Sequence, residues 1–262
     1  MFSVIRSGLD ASLKQLDVLS NNIANAKTTG YKRSDASFQD IYAEKASFLA
    51  PGRIGHGASL DSIRQFRSQG PLKQTNQTLD LAIEGQGMFV LKRPDAAAGA
   101  TNSYTRDGSF TLDNDGFIVS SDGQFLLSDL QQPIQVPRSA VIQGRTFYLN
   151  DINIDEFGRV IAQMGDSQEQ VVGRVGLALF SDPTRLTPQG NNQFIENGAS
   201  GAAEIGGAFE NGYGKMISGA IELSNVDMTS ELAGLIQAQQ AFSGSSRLMQ
   251  SETDMTRRLI GG

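Results

Sequence analysis

The chain has 262 residues, 39% of them hydrophobic and 7% aromatic, with 29 glycines and no tryptophan. That length can bury a sizeable core in one large domain or two modest ones, and the abundant glycine suits a turn-rich β region. A formal net charge of −6 gives no global positive field for nucleic acid or an anionic membrane. The absence of cysteine excludes thiol catalysis, disulfides and thiolate metal sites.

The chain begins MFSVIRSGLDASLKQ, with charges at Arg6, Asp10 and Lys14 and no apolar run of signal-peptide length. No stretch approaches the roughly 20 apolar residues of a membrane span. The expectation is a soluble chain without a cleavable signal, which would need another route if it leaves the cytoplasm. Phe2, Ile5, Leu9, Leu16, Leu19, Ile23 and Ala26 then alternate three and four apart, broken only at Ser12. This a/d stripe predicts a helix of about 25 residues, and Thr28-Thr29-Gly30 supplies its stop, with Gly30 suited to a left-handed position. Asn21, Asn22 and Asn25 sit on that helix although Asn competes for backbone groups and disfavours helix interiors. Local folding does not require them.

Residues 46–80 read as an extended connector, with Pro51, Gly52, Gly55 and Gly57 near its start. The middle changes rhythm. Asp107-Gly108, Asp115-Gly116 and Asp122-Gly123 each lie beside short apolar runs, which predicts hairpins. Further strands are expected at 81–91, 140–149, 159–164 and 171–180. At the far end Asp227 can cap a second helix over about 228–259, with Glu231 in its favoured first turn. Met228, Leu235, Phe242 and Met249 repeat every seven residues there, and Leu232, Ile236, Leu248, Met255 and Leu259 widen the stripe.

The expected fold class is α+β: terminal helices paired as a coiled-coil layer, with a central all-β domain of antiparallel hairpins. The expected divisions are 1–45 for the N-terminal helix and turn, 46–80 for the connector, 81–217 for the β-rich domain and 218–262 for the C-terminal helix.

Chemistry is sparse. Gly85-Gln86-Gly87 begins a dinucleotide fingerprint, but Val90 stands where the third glycine belongs and no βαβ alternation surrounds it. Gly212-Tyr213-Gly214-Lys215 ends in Met216 rather than Ser or Thr, so it reads as turn glycines and not a phosphate loop. Asp113-Asn114-Asp115-Gly116 lacks the closing Glu of a calcium loop and reads as a hairpin turn. His56 is the only histidine and has no second nitrogen or sulfur ligand nearby in sequence. Lys32-Arg33 reads as a solvated turn or as one half of an intermolecular salt bridge. No catalytic, cofactor or metal residue is expected. Either stripe could form a helical hairpin within one subunit or also pack between subunits.

SNNIANAKTTGYKRSDASFQDIY (20–42), LDLAIEGQGMFVL (79–91), YTRDGSFTLDNDGFIVSSDG (104–123) and the stretch from Ser218 to Met255 occur in the family order of the bacterial flagellar rod and hook axial proteins, and the chain closely resembles that family. The resemblance implies terminal helices forming an inner coiled-coil layer around an export channel, with the β middle outside. It implies departure through the flagellar type III export apparatus and helical polymerisation into the periplasmic drive shaft of the basal body, carrying torque to the hook. The implied partners are copies of itself, neighbouring rod and hook proteins, the export apparatus and the surrounding basal-body rings, with no cofactor, nucleic acid or membrane insertion. The expected assembly interface is Phe2, Ile5, Leu9, Leu16, Leu19, Asn21, Asn22, Ile23, Asn25, Gly30, Met228, Leu232, Leu235, Phe242 and Met249. In such an assembly the asparagines would bond neighbouring helices or line a wet channel. FRSQGPLKQTNQTLDLAIEGQGMF, from Phe66, favours a distal rod subunit, whereas a short 45–65 segment leaves a proximal rod or small hook-like subunit open. A secreted β-rich ligand-binding module is the alternative from another class, and it leaves both helical stripes unexplained.

Overall fold

The computed structural model describes residues 2–42, 55–94, 101–142, 145–165, 168–210 and 212–260. Contacts group the chain into two units. One comprises residues 1–26, 32–66 and 226–262, and the other 27–31 and 67–225.

The first unit contains α1 (Phe2–Ala24), β1 (Ser34–Tyr42), β2 (Gly55–Gln65) and α2 (Met228–Ile260). The two helices are antiparallel. Asn22 bonds Glu231, Gly234 lies against Leu19 and Gly8 faces Ser245, so numbering rises along one helix as it falls along the other. Glycine at 234 permits this approach, because a Cβ there would stand 3.3 Å from Leu19 Cδ2. Asp227 caps α2 as expected: its carboxylate accepts from Thr229 N at 3.0 Å and from the Ser230 hydroxyl at 2.8 Å. β1 and β2 form an antiparallel ribbon from Ser34↔Gln65 to Tyr42↔Gly55, with irregularities after Ser37 and Asp40. The ribbon packs on α1, and any side chain at Gly57 (φ +106°) would collide with Ser7 Oγ. Of the stretch 46–80, residues 55–65 are therefore a paired strand, while 46–54 lie outside the described residues.

Every described strand pairing in the second unit is antiparallel, and one short 3₁₀ turn, Pro183–Arg185, lies among the strands. Its largest sheet is nine-stranded. It runs β15 (Thr187–Gly190), β16 (Gln193–Ile195), β6 (Ser103–Thr105), β5 (Met88–Lys92), β9 (Phe125–Leu126), β8 (Ile118–Ser120) and β7 (Phe110–Leu112), with β14 (Gly176–Leu179) joining β5 to β17 (Glu204–Gly207). A four-stranded sheet takes β10 (Ser139–Ile142), β11 (Arg145–Ile154), β12 (Arg159–Met164) and β13 (Gln168–Arg174) in chain order. Two short pairs, β4 (Leu81–Glu84) with β18 (Lys215–Ser218) and β3 (Leu72–Gln74) with β19 (Ala220–Glu222), bring the two ends of the unit together. Both buried apolar clusters lie between Leu81 and Met216, with Phe89 set edge-on to Phe110 and Tyr104 edge-on to Phe180.

Two of the three Asp-Gly pairs make the hairpins their sequence announces, Asp115-Gly116 between β7 and β8 and Asp122-Gly123 between β8 and β9. Asp107-Gly108 does not. It lies between β6 and β7, which do not pair, and its glycine is required by close approach to Leu81 O, where any Cβ would collide. The expected strand at 140–149 is two strands, and that at 171–180 breaks between β13 and β14.

A buried ion pair closes the unit. Glu222 accepts from Gly70 N at 2.8 Å and from Arg106 Nη1 at 3.1 Å, and Arg106 also donates to Gly85 O at 2.6 Å. Burial lowers the Arg106 pKa and the facing Glu222 carboxylate partly restores it. Arg67, stacked 4.0 Å above the Phe194 ring, is drawn down to about 10 by burial first and by Arg106 second.

Candidate assembly surface

The expected interface residues divide into three groups. Ile5, Leu9, Leu16, Leu19 and Ile23 on α1, and Leu235, Phe242 and Met249 on α2, are buried or half-buried along one side of each helix. Phe2, Asn21, Met228 and Leu232 are exposed. Asn22 and Gly30 are buried within the chain, and Asn25 is half-buried beside them in sequence.

On α2 the partly buried series is Glu231, Leu235, Ala238, Phe242, Ser245, Met249 and Glu252, again three and four apart. Four of these seven positions carry acidic or small residues, so apolar periodicity revealed only Leu235, Phe242 and Met249. Ala238 is among the most enclosed side chains of the helix and was missed for that reason. Ser12, which breaks the α1 stripe, faces the same way. It is buried and donates back to Gly8 O at 2.8 Å, so its hydroxyl needs no partner on α2. Leu232, Ile236, Leu248 and Met255 do not widen this seam; they lie on its two flanks, exposed by 45, 54, 61 and 62%. Leu259, seven residues beyond Glu252, keeps the seam's register but is 78% exposed. The first unit thus has an inward stripe covered by its own chain and exposed apolar residues on both flanks of α2 that, among the described residues, nothing covers.

The asparagines resolve differently from one another. Asn22 is fully buried. Its Nδ2 donates to Ser34 O at 2.7 Å and to Glu231 Oε2 at 3.0 Å, and its Oδ1 accepts from Ser34 N at 3.0 Å. One amide therefore ties α1 to the start of β1 and to the first turn of α2. Its cost to the helix is offset inside the chain, not by a neighbouring subunit as expected. Asn25 bonds locally to the Asn21 carbonyl at 2.9 Å and side chain at 3.2 Å. Arg33 also corrects an expectation. It donates to the buried Glu231 Oε1 at 2.5 Å, an ion pair within the chain, and its guanidinium lies 5.4 Å from the Phe66 ring centroid. Lys32 is buried and not a solvated charge. Glu231, expected only as a favourable first-turn charge, is the common acceptor of this cluster.

Gly30 takes φ +66°, as its stop required, and a Cβ there would come within 2.6 Å of Asp107 N. Its own N–H bonds Glu222 O at 2.8 Å, and Asn192 holds Thr29 O at 2.7 Å. The Thr-Thr-Gly turn is thus fastened to the β unit.

The motifs set aside on sequence grounds fall in turns. Gly85 and Gly87 have φ of +112° and +132° at the β4–β5 corner, and Lys215 pairs with Glu84 at 2.8 Å. Gly116 (φ +83°) closes a turn in which its N–H bonds Asp113 O at 3.0 Å. His56 is exposed on β2. Among the described residues no group of acidic or histidine side chains is placed to hold a metal ion.

Three family models match the chain in order: "Flagella basal body rod protein" at 2–32, "Flagellar hook protein FlgE/F/G D1 domain" at 82–162 and "Flagellar basal body rod FlgEFG protein C-terminal" at 217–261. The chain is 33% identical over 266 residues to the flagellar basal-body rod protein FlgG of Agrobacterium fabrum, covering 97% of this chain and 95% of that one. The chain belongs to the flagellar basal-body rod protein family. It is 34% identical to the FlgG of Caulobacter vibrioides, with 95% and 94% covered, and 32% identical to that of Bacillus subtilis, with 97% and 95% covered. The family is one of structural flagellar rod proteins. Its matched terminal segments contain the whole of α1 and α2, so the helices described above lie within the parts that the two rod-named models recognise. No described helix is long and apolar enough to cross a membrane.

Proposed function

We propose that the chain is the distal rod subunit of the flagellar basal body, a structural protein with no enzymatic role. The observation that carries this reading is near-full-length similarity to proteins named FlgG at 30–34% identity, against 27% for the Bacillus subtilis hook-basal body complex protein FlhP. Copies polymerise helically, with α1 and α2 forming a coiled-coil layer around the export channel and the β unit forming an outer layer. The shaft transmits torque to the hook and meets neighbouring rod and hook proteins and the surrounding rings. Subunits reach the periplasm through the flagellar type III export apparatus. The exposed apolar residues on the flanks of α2 support the assembly, since such surface gains stability only when another surface covers it.

The test is deletion and complementation in the source bacterium, with basal bodies counted by electron microscopy. Loss of the gene is expected to give non-motile cells whose rods end before the hook, restored by the full chain. Complete hooks in the deletion strain would contradict the reading.

A further inference from the structure

A polar cleft of about 780 Å³ opens at one end of the nine-stranded sheet, where β5 ends, β6 begins and the β8–β9 and β15–β16 turns meet. Its floor is buried yet polar: Ser103, Gln124 and Gln193 are 4, 5 and 6% exposed. Such side chains at the bottom of a cleft of ligand size call for a polar occupant. The β15–β16 turn brings Asn191 to the rim. Asn191 and Asn192 take φ of +51° and +55°, as a two-residue hairpin turn requires, and Asn191 Nδ2 reaches both oxygens of Asp122 at 3.1 Å.

The hydrogen bonds of the floor run in a fixed direction. The Asp122 carboxylate only accepts, and its Oδ2 takes Gln193 Nε2 at 2.8 Å. That turns Gln193 Oε1 towards Gln124, whose Nε2 donates to it at 2.7 Å. Gln124 Oε1 is thereby left as an acceptor at the end of the series, buried and, among the described residues, without a donor. A buried acceptor in that condition is costly, and a ligand that donates to it gains accordingly.

The rest of the lining defines the ligand. Arg93 and Asp122 are the only charges among the described lining residues, and they offset one another. That balance favours a neutral ligand over a phosphate or an amine. Gln189 accepts from the Ser103 hydroxyl at 3.2 Å, and its amide N–H groups lie on the exposed rim as donors. Pro94 and Ile195 add apolar surface. A peptide strand fits less well: β15 ends the sheet, but it is four residues long and Pro188 removes an N–H from that edge.

We infer that this cleft binds a neutral saccharide. Sugar hydroxyls both donate and accept. They supply donors to Gln124 Oε1 and Asp122 and take the N–H groups of Gln189 and Arg93, while the C–H face of a ring lies on Pro94 and Ile195. The site goes beyond the rod reading and stands or falls without it.

The test titrates cellotriose and triacetylchitotriose separately into the purified full-length chain, followed by backbone and side-chain amide NMR. At least one of the two is expected to give saturable shifts at Ser103, Gln189, Gln193 and the Gln124 side-chain amide. Gln124→Met keeps the length of the side chain, removes its amide and should weaken that binding about tenfold. Because Gln124 is buried, Gln189→Ala on the exposed rim is the second variant. It should weaken binding about fivefold with an unchanged melting temperature. Shifts with neither saccharide, or shifts confined to other surfaces, would overturn the inference. So would unaltered affinity in both folded variants, or tighter binding of N-acetylated, amidated trialanine at the same residues. Each result is read on the isolated chain and leaves the counts of basal bodies, and with them the rod reading, untouched.

Discussion

Glu231 concentrates more structure than any other single side chain of the helical unit. It is 1% exposed and accepts from Asn22 on α1 and Arg33 before β1, so it joins three elements at one carboxylate. Removing one partner of a buried pair costs about 3–5 kcal/mol. Arg33 keeps a third of its side chain in water, so Glu231→Ala is expected near the lower end, about 3 kcal/mol, and Glu231→Gln distinctly less. Denaturant unfolding followed by helical circular dichroism would measure both, and equal unfolding of wild type and Glu231→Ala would contradict the cluster. Gly30→Ala should lower stability by at least 1–2 kcal/mol, because the left-handed φ penalises any Cβ and the Asp107 backbone occupies its space. The Asp227 cap should be sensitive to acid. The Ser230 hydroxyl first, then the Thr229 amide, hold its pKa below the ordinary 3.8. Its contribution is therefore complete above about 3.8 and lost as pH falls through the lower folded value. In Asp227→Asn the first turn of α2 should lose that acid dependence, which amide shifts followed by NMR would show. The Asp227 cap and the Gly30 turn were legible in sequence, but the cluster around Glu231 was not. Asn22 looked like a helix defect and Arg33 like a surface charge, because the partner of both lies some two hundred residues away.

The terminal elements were legible because period and length agreed: α1 and α2 run Phe2–Ala24 and Met228–Ile260. Which face of α2 turns inward was only half legible. Its buried series alternates Leu235, Phe242 and Met249 with Glu231, Ala238 and Ser245, so hydrophobicity marks every second contact and also marks exposed residues on either flank. That division predicts two kinds of variant. Phe242 is half-buried within the chain, so Phe242→Ala should cost the isolated protein roughly 2 kcal/mol, about half the 3–5 kcal/mol of a fully buried Phe. Leu248→Ala, on an exposed flank, should leave the isolated chain within about 0.5 kcal/mol of wild type and lower the yield of completed rods. Thermal melting of the purified protein, paired with counts of basal bodies, separates the two. A melting loss as large for Leu248→Ala as for Phe242→Ala would remove the distinction between seam and flank. The β elements were legible where an Asp-Gly turn joins adjacent strands. They were not where β14 pairs with β5 and β17, since pairing between distant strands leaves no local signal.

Across the whole chain, stability is unevenly placed. Both buried apolar clusters belong to the β unit, whereas the helical unit relies on one inward seam and the Asn22–Glu231–Arg33 cluster. Amide hydrogen exchange in the isolated protein should therefore be fastest in α1 and in the part of α2 beyond Met249, and slowest in β5, β8 and β12. Uniform protection along the chain would contradict this. Incorporation into a rod should slow exchange in α1 and α2 far more than in the β unit, because assembly covers faces that the free chain leaves open. The most direct test of the account is a cryo-EM map of the intact basal body from the source bacterium. It should show this chain in the distal rod, with α1 and α2 of successive copies packed around the export channel and the β sheets outside them. A rod built without this chain, or β sheets lining the channel with the helices outermost, would contradict it.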